Sequence, residues 1–202
     1  MVSEERVRDV VRRVVGAMYD PSAVGGEAGR PEREEPSGQG PVAIAIGADH
    51  GGFELKQAIA RRLGEEGYTV HDCGTMSTDP VDYPDFAHAV ARLVADGACR
   101  WGIVVDGAGI GSCMVANKVP GVRAANCHDI SSARNSREHN HANVLTLGAG
   151  LVGTRLAMDI VEAWLATGWG TGRHAARVDK IAAFEWRYLR RDPAEPGGGQ
   201  GA

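Results

Sequence analysis

The sequence contains few of the features that mark secreted, membrane-spanning or nucleic-acid-binding proteins. Its four cysteines, among 202 residues, stand singly, and no two of them form a C-x-x-C pair. Neither a secretory leader nor a long apolar span is present, so we expect reduced thiols in a cytoplasmic protein. The net charge of −4 gives no basis for binding nucleic acid, and we expect no membrane partner either.

Metal ligands and nucleotide-binding motifs are also sparse. Histidines and cysteines do not cluster with metal-site spacing, except for His139 and His141, which would share a face only on an extended strand. The glycines at positions 107, 109 and 111 do not follow the G-x-G-x-x-G dinucleotide pattern. We therefore expect neither a metal ion nor an organic cofactor.

The composition divides the chain into four segments. Residues 1–19 carry an apolar stripe with the spacing of one helix face, formed by Val7, Val10, Val11, Val14, Val15 and Met18. Residues 20–40 are rich in Pro, Gly and Glu and are predicted to be a flexible linker. Residues 41–190 are predicted to form the folded domain, and residues 191–202 a disordered tail.

The folded segment alternates short apolar runs with amphipathic stretches. The apolar runs predict five strands, at residues 42–47, 68–72, 102–106, 122–126 and 143–147. Helices are predicted to start near residues 52, 85, 109, 130 and 151, with a last helix at residues 174–190. This alternation predicts a parallel sheet with helices on both faces and with ligands at the carboxyl ends of the strands.

The main candidate for a functional site is the glycine loop, residues 107–111, which follows the predicted strand ending in Asp106. Its glycines let the backbone approach a ligand closely, and the helix N-terminus after it favours an anion. The alternative is a tight strand-to-helix turn that binds nothing. We expect the loop to share one crevice with other polar residues near strand ends, namely Asp49, His50, Cys127, His128, Asp129, His139 and Asn140.

Several motifs in one order resemble the ribose-5-phosphate isomerase B and galactose-6-phosphate isomerase family. They begin with Gly47-Ala48-Asp49-His50, and the full set comprises residues 47–56, 82–85, 107–111, 116–118, 136–140, 143–145 and 172–178. The resemblance implies a Rossmann-like αβα sandwich around a five-stranded parallel sheet. It further implies a homodimer, with a tetramer as the alternative, sites built from both subunits, and metal-free interconversion of aldose and ketose phosphates.

The resemblance also implies roles for individual residues. The reaction needs a group that opens the furanose ring, a base that moves a proton between C2 and C1, and donors that hold the negative enediolate. His139 would open the ring, and Asp106 stands where the family places its base. Asp49 would orient a sugar hydroxyl. The enediolate would be held by Asn140 and by the amides of Gly107, Ala108, Gly109, Ile110 and Gly111.

The phosphate of the substrate would be bound by His50, Arg173 and Arg177. Guanidinium groups suit this role because their donors match phosphate oxygens in a fork. The alternative is that the two arginines, one helical turn apart, only solvate a helix face.

Three positions depart from the family pattern inside the proposed site. Asp106 replaces the usual cysteine base, Ala108 replaces a threonine, and Gly150 replaces an arginine. A branch of the family uses a glutamate base that aligns with Ser112, so neither usual base is present. Three interpretations stay open: a ribose 5-phosphate isomerase with an aspartate base, an isomerase of another sugar phosphate, and a sugar-phosphate-binding protein without turnover.

The N-terminal segment is an addition to the family's core. A short amphipathic helix followed by a Pro/Gly-rich tether resembles the encapsulation peptides that carry enzymes into bacterial microcompartments. A helix of about four turns is marginal alone in water and suits a groove on a partner. The sequence thus predicts that residues 1–19 bind a shell protein, the alternatives being a membrane surface or the protein's own domain.

Overall fold

Five strands form one sheet in residues 42–189, the part of the chain that this computed structural model describes. The strands are β1 (Ala43–Ala48), β2 (Thr69–Asp72), β3 (Trp101–Asp106), β4 (Ala124–Asn126) and β5 (Val144–Gly148). Their order is β2-β1-β3-β5-β4, and each neighbouring pair is parallel. All five predicted strands are confirmed, with ends that shift by one or two residues.

Six helices connect and follow these strands. They are α1 (Phe53–Glu65), α2 (Tyr83–Ala95), α3 (Ile110–Ala116), α4 (Ile130–Asn140), α5 (Thr154–Ala166) and α6 (Arg173–Leu189). Helices α1, α4 and α5 cover one face of the sheet, and α2 and α3 cover the other, which confirms the predicted αβα sandwich. The predicted segments 1–19, 20–40 and 191–202 lie outside the described residues, as does residue 190.

An apolar cluster on each face of the sheet explains why the strand sequences are continuous apolar runs. Ile44 and Ile46 of β1 point to the face under α1 and α5, whereas Ala45 between them points to the face under α2. Every residue of β3 and β5 is buried. Central strands of a parallel sheet are covered on both faces, so both sets of their side chains must be apolar or bonded.

Helix α5 starts three residues later than the sequence predicts. The amides of Leu151 and Val152 both bond to the carbonyl of Gly148, so the chain makes a turn before the helix begins at Thr154. This turn places Gly150 directly beside the glycine loop, where its amide donates to the carbonyl of Gly107 at 3.0 Å. The strand end of β5 therefore adjoins the candidate site.

A buried ion pair fastens α1 to the end of β2. The ammonium of Lys56, whose side chain is 0% exposed, donates to both carboxylate oxygens of Asp72 at 2.6 and 2.7 Å and to the carbonyl of Thr75 at 2.7 Å. Asp72 also accepts the amide of Gly74. Because the Lys56 side chain is buried, these oxygens are the hydrogen-bond acceptors of its ammonium.

We expect Asp72→Ala to lower the free energy of unfolding by about 3–5 kcal/mol, since it leaves a buried ammonium without its counter-charge. Asp96→Ala is the control, because it breaks the exposed Arg92–Asp96 pair and should cost no more than about 1 kcal/mol. Urea denaturation measures both. Equal losses in the two variants would show that the Lys56–Asp72 pair does not stabilise the fold.

Candidate active site

Asp49 and the glycine loop lie side by side at the point where the strand order of the sheet reverses, between β1 and β3. The chain leaves β1 for β2 on one side and returns to β3 on the other, so the carboxyl ends of β1 and β3 flank a crevice. A β-carbon on Gly51 would lie 3.4 Å from Oδ1 of Asp49 and 3.9 Å from the amide nitrogen of Gly107. The predicted proximity of these two segments is therefore confirmed.

Glycine is required at the start of α1 for this approach. A β-carbon on Gly52 would lie 2.2 Å from the carbonyl oxygen of Val105 in β3. The amide of Gly52 donates to Oδ1 of Asp49 at 2.9 Å, and the amide of Asp49 donates to Val105 at 3.2 Å. These bonds fix Asp49 at the strand end through its backbone and through Oδ1 of its carboxylate.

His50 points from the same strand end toward the segment before α2. Its Nδ1 lies 3.2 Å from both the amide and the carbonyl of Val81. The residue is exposed, and it does not cap α1, whose N-cap is Gly52. A ring held at one nitrogen with the rest exposed is suited to meet an anion from solvent.

Asp106 is almost enclosed by the loop that it precedes. Its side chain belongs to a residue only 5% exposed. Oδ1 accepts the amides of Ala108, at 2.8 Å, and Gly109, while Oδ2 accepts the amide of Ser112 at 3.1 Å and its hydroxyl at 2.5 Å. A carboxylate offers about four acceptor positions, so the loop uses all of them. Asp106 thus holds the glycine loop closed around itself.

This bonding limits where Asp106 can accept a proton. Three of its donors are backbone amides, which cannot turn away while the loop keeps its conformation. The fourth, the hydroxyl of Ser112, can rotate about its C–O bond and release Oδ2. A base role for Asp106 therefore requires the rotation of Ser112, a residue that is 0% exposed.

The nearby cysteine is not an alternative nucleophile or base. Burial raises the pKa of the Cys113 thiol, which donates to the carbonyl of Ala124 at 3.4 Å. A thiol with a raised pKa is mostly protonated at neutral pH. Cys113 is half-buried on α3, as suits a packing residue.

The glycine loop is held from two further sides. Gly109 has φ 75°, and a β-carbon there would lie 2.5 Å from Oδ1 of Asn126. Asn126 donates from Nδ2 to the carbonyl of Ala108 at 3.2 Å. The ring of Tyr83 lies against Gly111, where a β-carbon would be 2.7 Å from its hydroxyl oxygen. The loop is therefore a fixed element rather than an adaptable one.

His139 and Asn140 lie near the amino ends of the strands, so within one chain they do not share the crevice of Asp106. They end α4, next to Asn143, whose carbonyl accepts the amide of Gly102 at the start of β3. The glycine loop begins after β3 ends. A helix between two parallel strands runs back along them, which separates its end from the loop by about 16 Å, the length of β5.

The end of α4 is anchored by an arginine among tryptophans. The guanidinium of Arg137, a residue 1% exposed, lies 3.8 Å from the ring centre of Trp101 and 4.6 Å from that of Trp164. It donates to the carbonyls of Ala142, Trp164 and Thr167. These contacts fix the last turn of α4 against the end of α5.

The start of α6 lies against the same turn. The amide of Gly170 donates to the carbonyl of Glu138 at 2.8 Å, and Nε2 of His141 lies 2.7 Å from the carbonyl oxygen of Gly170. The imidazoles of His139 and His174 stack with centres 4.2 Å apart and planes inclined by 7°. The predicted residues Arg173 and Arg177 are exposed on α6, adjacent to this stack.

One chain therefore presents two separate groups of the predicted site residues. The loop half-site contains Asp49, His50, Asp106 and residues 107–111. The helix-end half-site contains His139, Asn140, Arg173, His174 and Arg177. The first offers backbone donors and a carboxylate, and the second offers imidazoles and guanidinium groups that match a phosphate.

Sequence reasoning gave no individual role to several residues that shape these half-sites, although two of them, Tyr83 and Arg137, lie in the motifs of the family resemblance. They are Tyr83, Asn126, Asn135 and Arg137, and the pairing of His174 with His139 was missed as well. The spacing of Asn135 and His139, four residues apart on a predicted helix, already indicates a contact. No local pattern indicates the contact of Tyr83 with Gly111, because 27 intervening positions separate them along the chain.

Residues 42–189 contain neither a metal-binding cluster nor a membrane-spanning helix. Within that range, no three side chains of His, Cys, Asp or Glu group together in a way that could hold a metal ion. None of the helices described there is long and apolar enough to cross a membrane.

Comparison with known proteins identifies similar chains along most of this fold. The model of the Ribose/Galactose Isomerase family matches residues 44–181. Ribose-5-phosphate isomerase B of Escherichia coli is 46% identical over 71% of this chain and 97% of its own. D-erythrulose-4-phosphate isomerase of Pectobacterium atrosepticum is 44% identical over 71% of this chain and 95% of its own.

Solved structures agree with these matches. Ribose-5-phosphate isomerase B of Clostridium thermocellum is 52% identical, with a TM-score of 0.72 over 73% of this chain and 99% of the other. The Mycoplasma genitalium protein of the same name, solved with bound ribulose-5-phosphate, is 38% identical, with a TM-score of 0.70 over 73% of this chain and 98% of the other.

Proposed function

Because this chain belongs to the Ribose/Galactose Isomerase family and is a sugar phosphate isomerase, we propose that it interconverts ribose 5-phosphate and ribulose 5-phosphate. The observation that carries this proposal is the loop half-site, which places Asp49 and a fixed set of backbone donors at the switch point of the sheet. An enediolate intermediate needs such donors held in place before charge develops.

Asp106 is the proposed base for proton transfer between C2 and C1. When Ser112 rotates away, Oδ2 can take the proton, and the carboxyl becomes neutral as the sugar becomes an enediolate. Protonation removes the negative charge of Asp106, which the amides of Ala108 and Gly109 had been stabilising. At the same time the negative enediolate forms beside these amides. Donors that already surround one charge are suited to hold another nearby.

The complete site requires two copies of the chain. Ring opening by His139 and phosphate binding by Arg173 and Arg177 come from the helix-end half-site, about 16 Å from the glycine loop of the same chain. A second copy supplies the missing half to each loop. We therefore propose a homodimer in which each site combines the loop half-site of one subunit with the helix-end half-site of the other.

Helix α6 offers a surface for such a dimer. It buries Val178 within the chain but exposes large apolar side chains farther along, which are Ile181, Phe184, Trp186, Tyr188 and Leu189. A group of exposed apolar residues on one helix is typical of an interface. The same helix carries Arg173 and Arg177, so dimer contacts there would also position the phosphate ligands.

A second substrate is supported by one relative and one substitution. D-erythrulose-4-phosphate isomerase of Pectobacterium atrosepticum is nearly as similar to this chain as the ribose-5-phosphate isomerase. Gly150, beside the glycine loop, carries no side chain that could reach a phosphate. A tetrose phosphate is therefore the alternative substrate.

The decisive experiment is turnover of ribose 5-phosphate by the purified full-length chain, beside D-erythrulose 4-phosphate at the same concentration. We expect conversion of the pentose with the higher kcat/KM. A higher kcat/KM for the tetrose would favour the alternative substrate. Absence of turnover with both, together with a rise in Tm on adding ribose 5-phosphate, would indicate a sugar-phosphate-binding protein instead.

We further propose that residues 1–19 direct the enzyme into a bacterial microcompartment, and not to a membrane. The valine stripe supports this, as does the start of the family match at residue 44, which leaves the N-terminal segment outside the isomerase domain. The partner would be a shell protein with a groove that accepts an apolar helix face.

Deleting residues 1–40 should leave ribose 5-phosphate turnover within about twofold of the full chain, because no residue assigned to either half-site belongs to this segment. Co-purification with shell proteins should be lost. Activity assays and co-expression with a shell protein measure the two effects. Loss of folding on deletion would instead indicate that the segment stabilises its own domain.

A further inference from the structure

The imidazole of His139 is held by two neighbours that define its orientation. Nδ1 lies 2.9 Å from Nδ2 of Asn135, one turn earlier on α4. The imidazole of His174 stacks on its face, 4.2 Å away. The side chain of His139 is still 39% exposed, so its other nitrogen, Nε2, is open to a ligand.

The orientation of the Asn135 amide fixes the proton on the His139 ring. Oδ1 of Asn135 accepts from Nδ2 of Asn140 at 3.3 Å, which turns the NH₂ group of Asn135 toward His139. Nδ1 of His139 must then be the acceptor. A neutral imidazole carries one proton, so that proton lies on Nε2. The carboxylate of Glu138, 3.9 Å from Nε2, favours the same arrangement.

The second imidazole fixes the plane of the first without adding charge. Burial, then the neighbouring His139 and the guanidinium of Arg173, lower the pKa of His174 below its ordinary value of 6.5, while Glu138 opposes the shift. These effects favour the neutral form of the His174 ring. Arg177 acts on it in the same direction as Arg173.

We infer that Asn135 and His174 are positioning residues that present the Nε2 proton of His139 to the ring oxygen of a furanose. This inference rests on the proposed function. In ring opening, the C1–O4 bond breaks, its electron pair stays on O4, and O4 takes the Nε2 proton. The anomeric hydroxyl gives its proton to water as the C1 carbonyl forms, and water restores the proton on Nε2.

Asn135→Asp is the sharpest variant, because a carboxylate can only accept and so draws the proton onto Nδ1. Nitrogen-15 NMR of His139, recorded at about pH 9 where an ordinary imidazole is neutral, reads the tautomer without any need for turnover. We expect the proton on Nε2 in the unchanged chain and on Nδ1 in the variant.

Activity is measured at the same pH in two ways that separate ring opening from proton transfer. Ribose 5-phosphate turnover needs both steps. Exchange of the C1 hydrogen of ribulose 5-phosphate with D₂O needs only proton transfer, because that ketose is acyclic. Asn135→Asp should lower ribose 5-phosphate turnover about a hundredfold and leave the exchange within about twofold.

His174 has a matched pair of variants. His174→Ala removes the stacked ring and should lower ribose 5-phosphate turnover about tenfold with little change in exchange, whereas His174→Phe keeps a flat ring and should restore turnover. Ser131→Asp, which adds the same charge as Asn135→Asp on an exposed position of α4, is the control and should change neither reaction.

The outcomes separate this inference from the proposed function. If Asn135→Asp lowers turnover and exchange equally, or if the unchanged chain carries the proton on Nδ1, His139 is not held as an acid by Asn135 and the inference is overturned. If the unchanged chain catalyses neither reaction, the proposed function is refuted and the inference with it.

Discussion

Asp106→Asn is expected to lower kcat for ribose 5-phosphate by about a thousandfold or more, because an amide cannot accept the proton from C2. KM should change little, since the substitution leaves the proposed phosphate ligands His50, Arg173 and Arg177 unchanged. The assay follows ribulose 5-phosphate formation under saturating substrate. The same substitution should abolish exchange of the C1 hydrogen of ribulose 5-phosphate in D₂O.

The fold must survive this substitution for the result to bear on catalysis. The asparagine oxygen can still accept the amides of Ala108 and Gly109, and its NH₂ group can donate to the hydroxyl of Ser112 after that hydroxyl rotates. One acceptor for the amide of Ser112 is lost, at about 1–3 kcal/mol. A melting curve of the variant shows whether the loss stays within this range.

Ser112→Ala provides a matched control for the loop. It removes one of the four donors to Asp106 but keeps the carboxylate, and it frees Oδ2 without any rotation. We expect measurable turnover in this variant, in contrast to Asp106→Asn. If Asp106→Asn retains turnover within about tenfold of the unchanged chain, the carboxylate only holds the loop closed, and another group must move the proton.

Local patterns in the sequence predicted the sheet well because each strand is buried on both faces. Where continuous apolar runs alternate with helical segments, a run such as β3 has few interpretations other than a buried strand. The glycine loop was predicted for a similar reason, since glycines after a buried strand indicate a tight approach of the backbone. Its partner Asp49 followed from the position of that residue after β1.

The bonding of Asp106 could not be read from the sequence. Whether a carboxylate at a strand end faces solvent or turns back to accept loop amides depends on the dihedral angles of the loop, here including the positive φ of Gly109. The position of His139, by contrast, follows from topology. A helix that links two parallel strands must run back, so its last residues lie away from the carboxyl ends of the strands.

Mixing two inactive variants should restore activity, because each proposed site takes its halves from different subunits. Asp106→Asn damages the loop half-site, and His139→Asn damages the helix-end half-site. In a mixed dimer, one site receives both damaged halves and the other receives two intact halves. If subunits assemble at random, about a quarter of the activity of the unchanged chain should return.

A control mixture combines two variants that are damaged in the same half-site. Asp106→Asn and His50→Ala both damage the loop half-site, so every site in their mixed dimers contains a damaged loop and no activity should return. The variants are unfolded together, refolded, and assayed with ribose 5-phosphate. If activity returned in the control mixture, the recovery could not be explained by sites that combine intact halves from two subunits. Absence of recovery in the first mixture, with mixed dimers shown to form, would mean that each site lies within one chain, which would require α4 to leave the place it occupies beside β5.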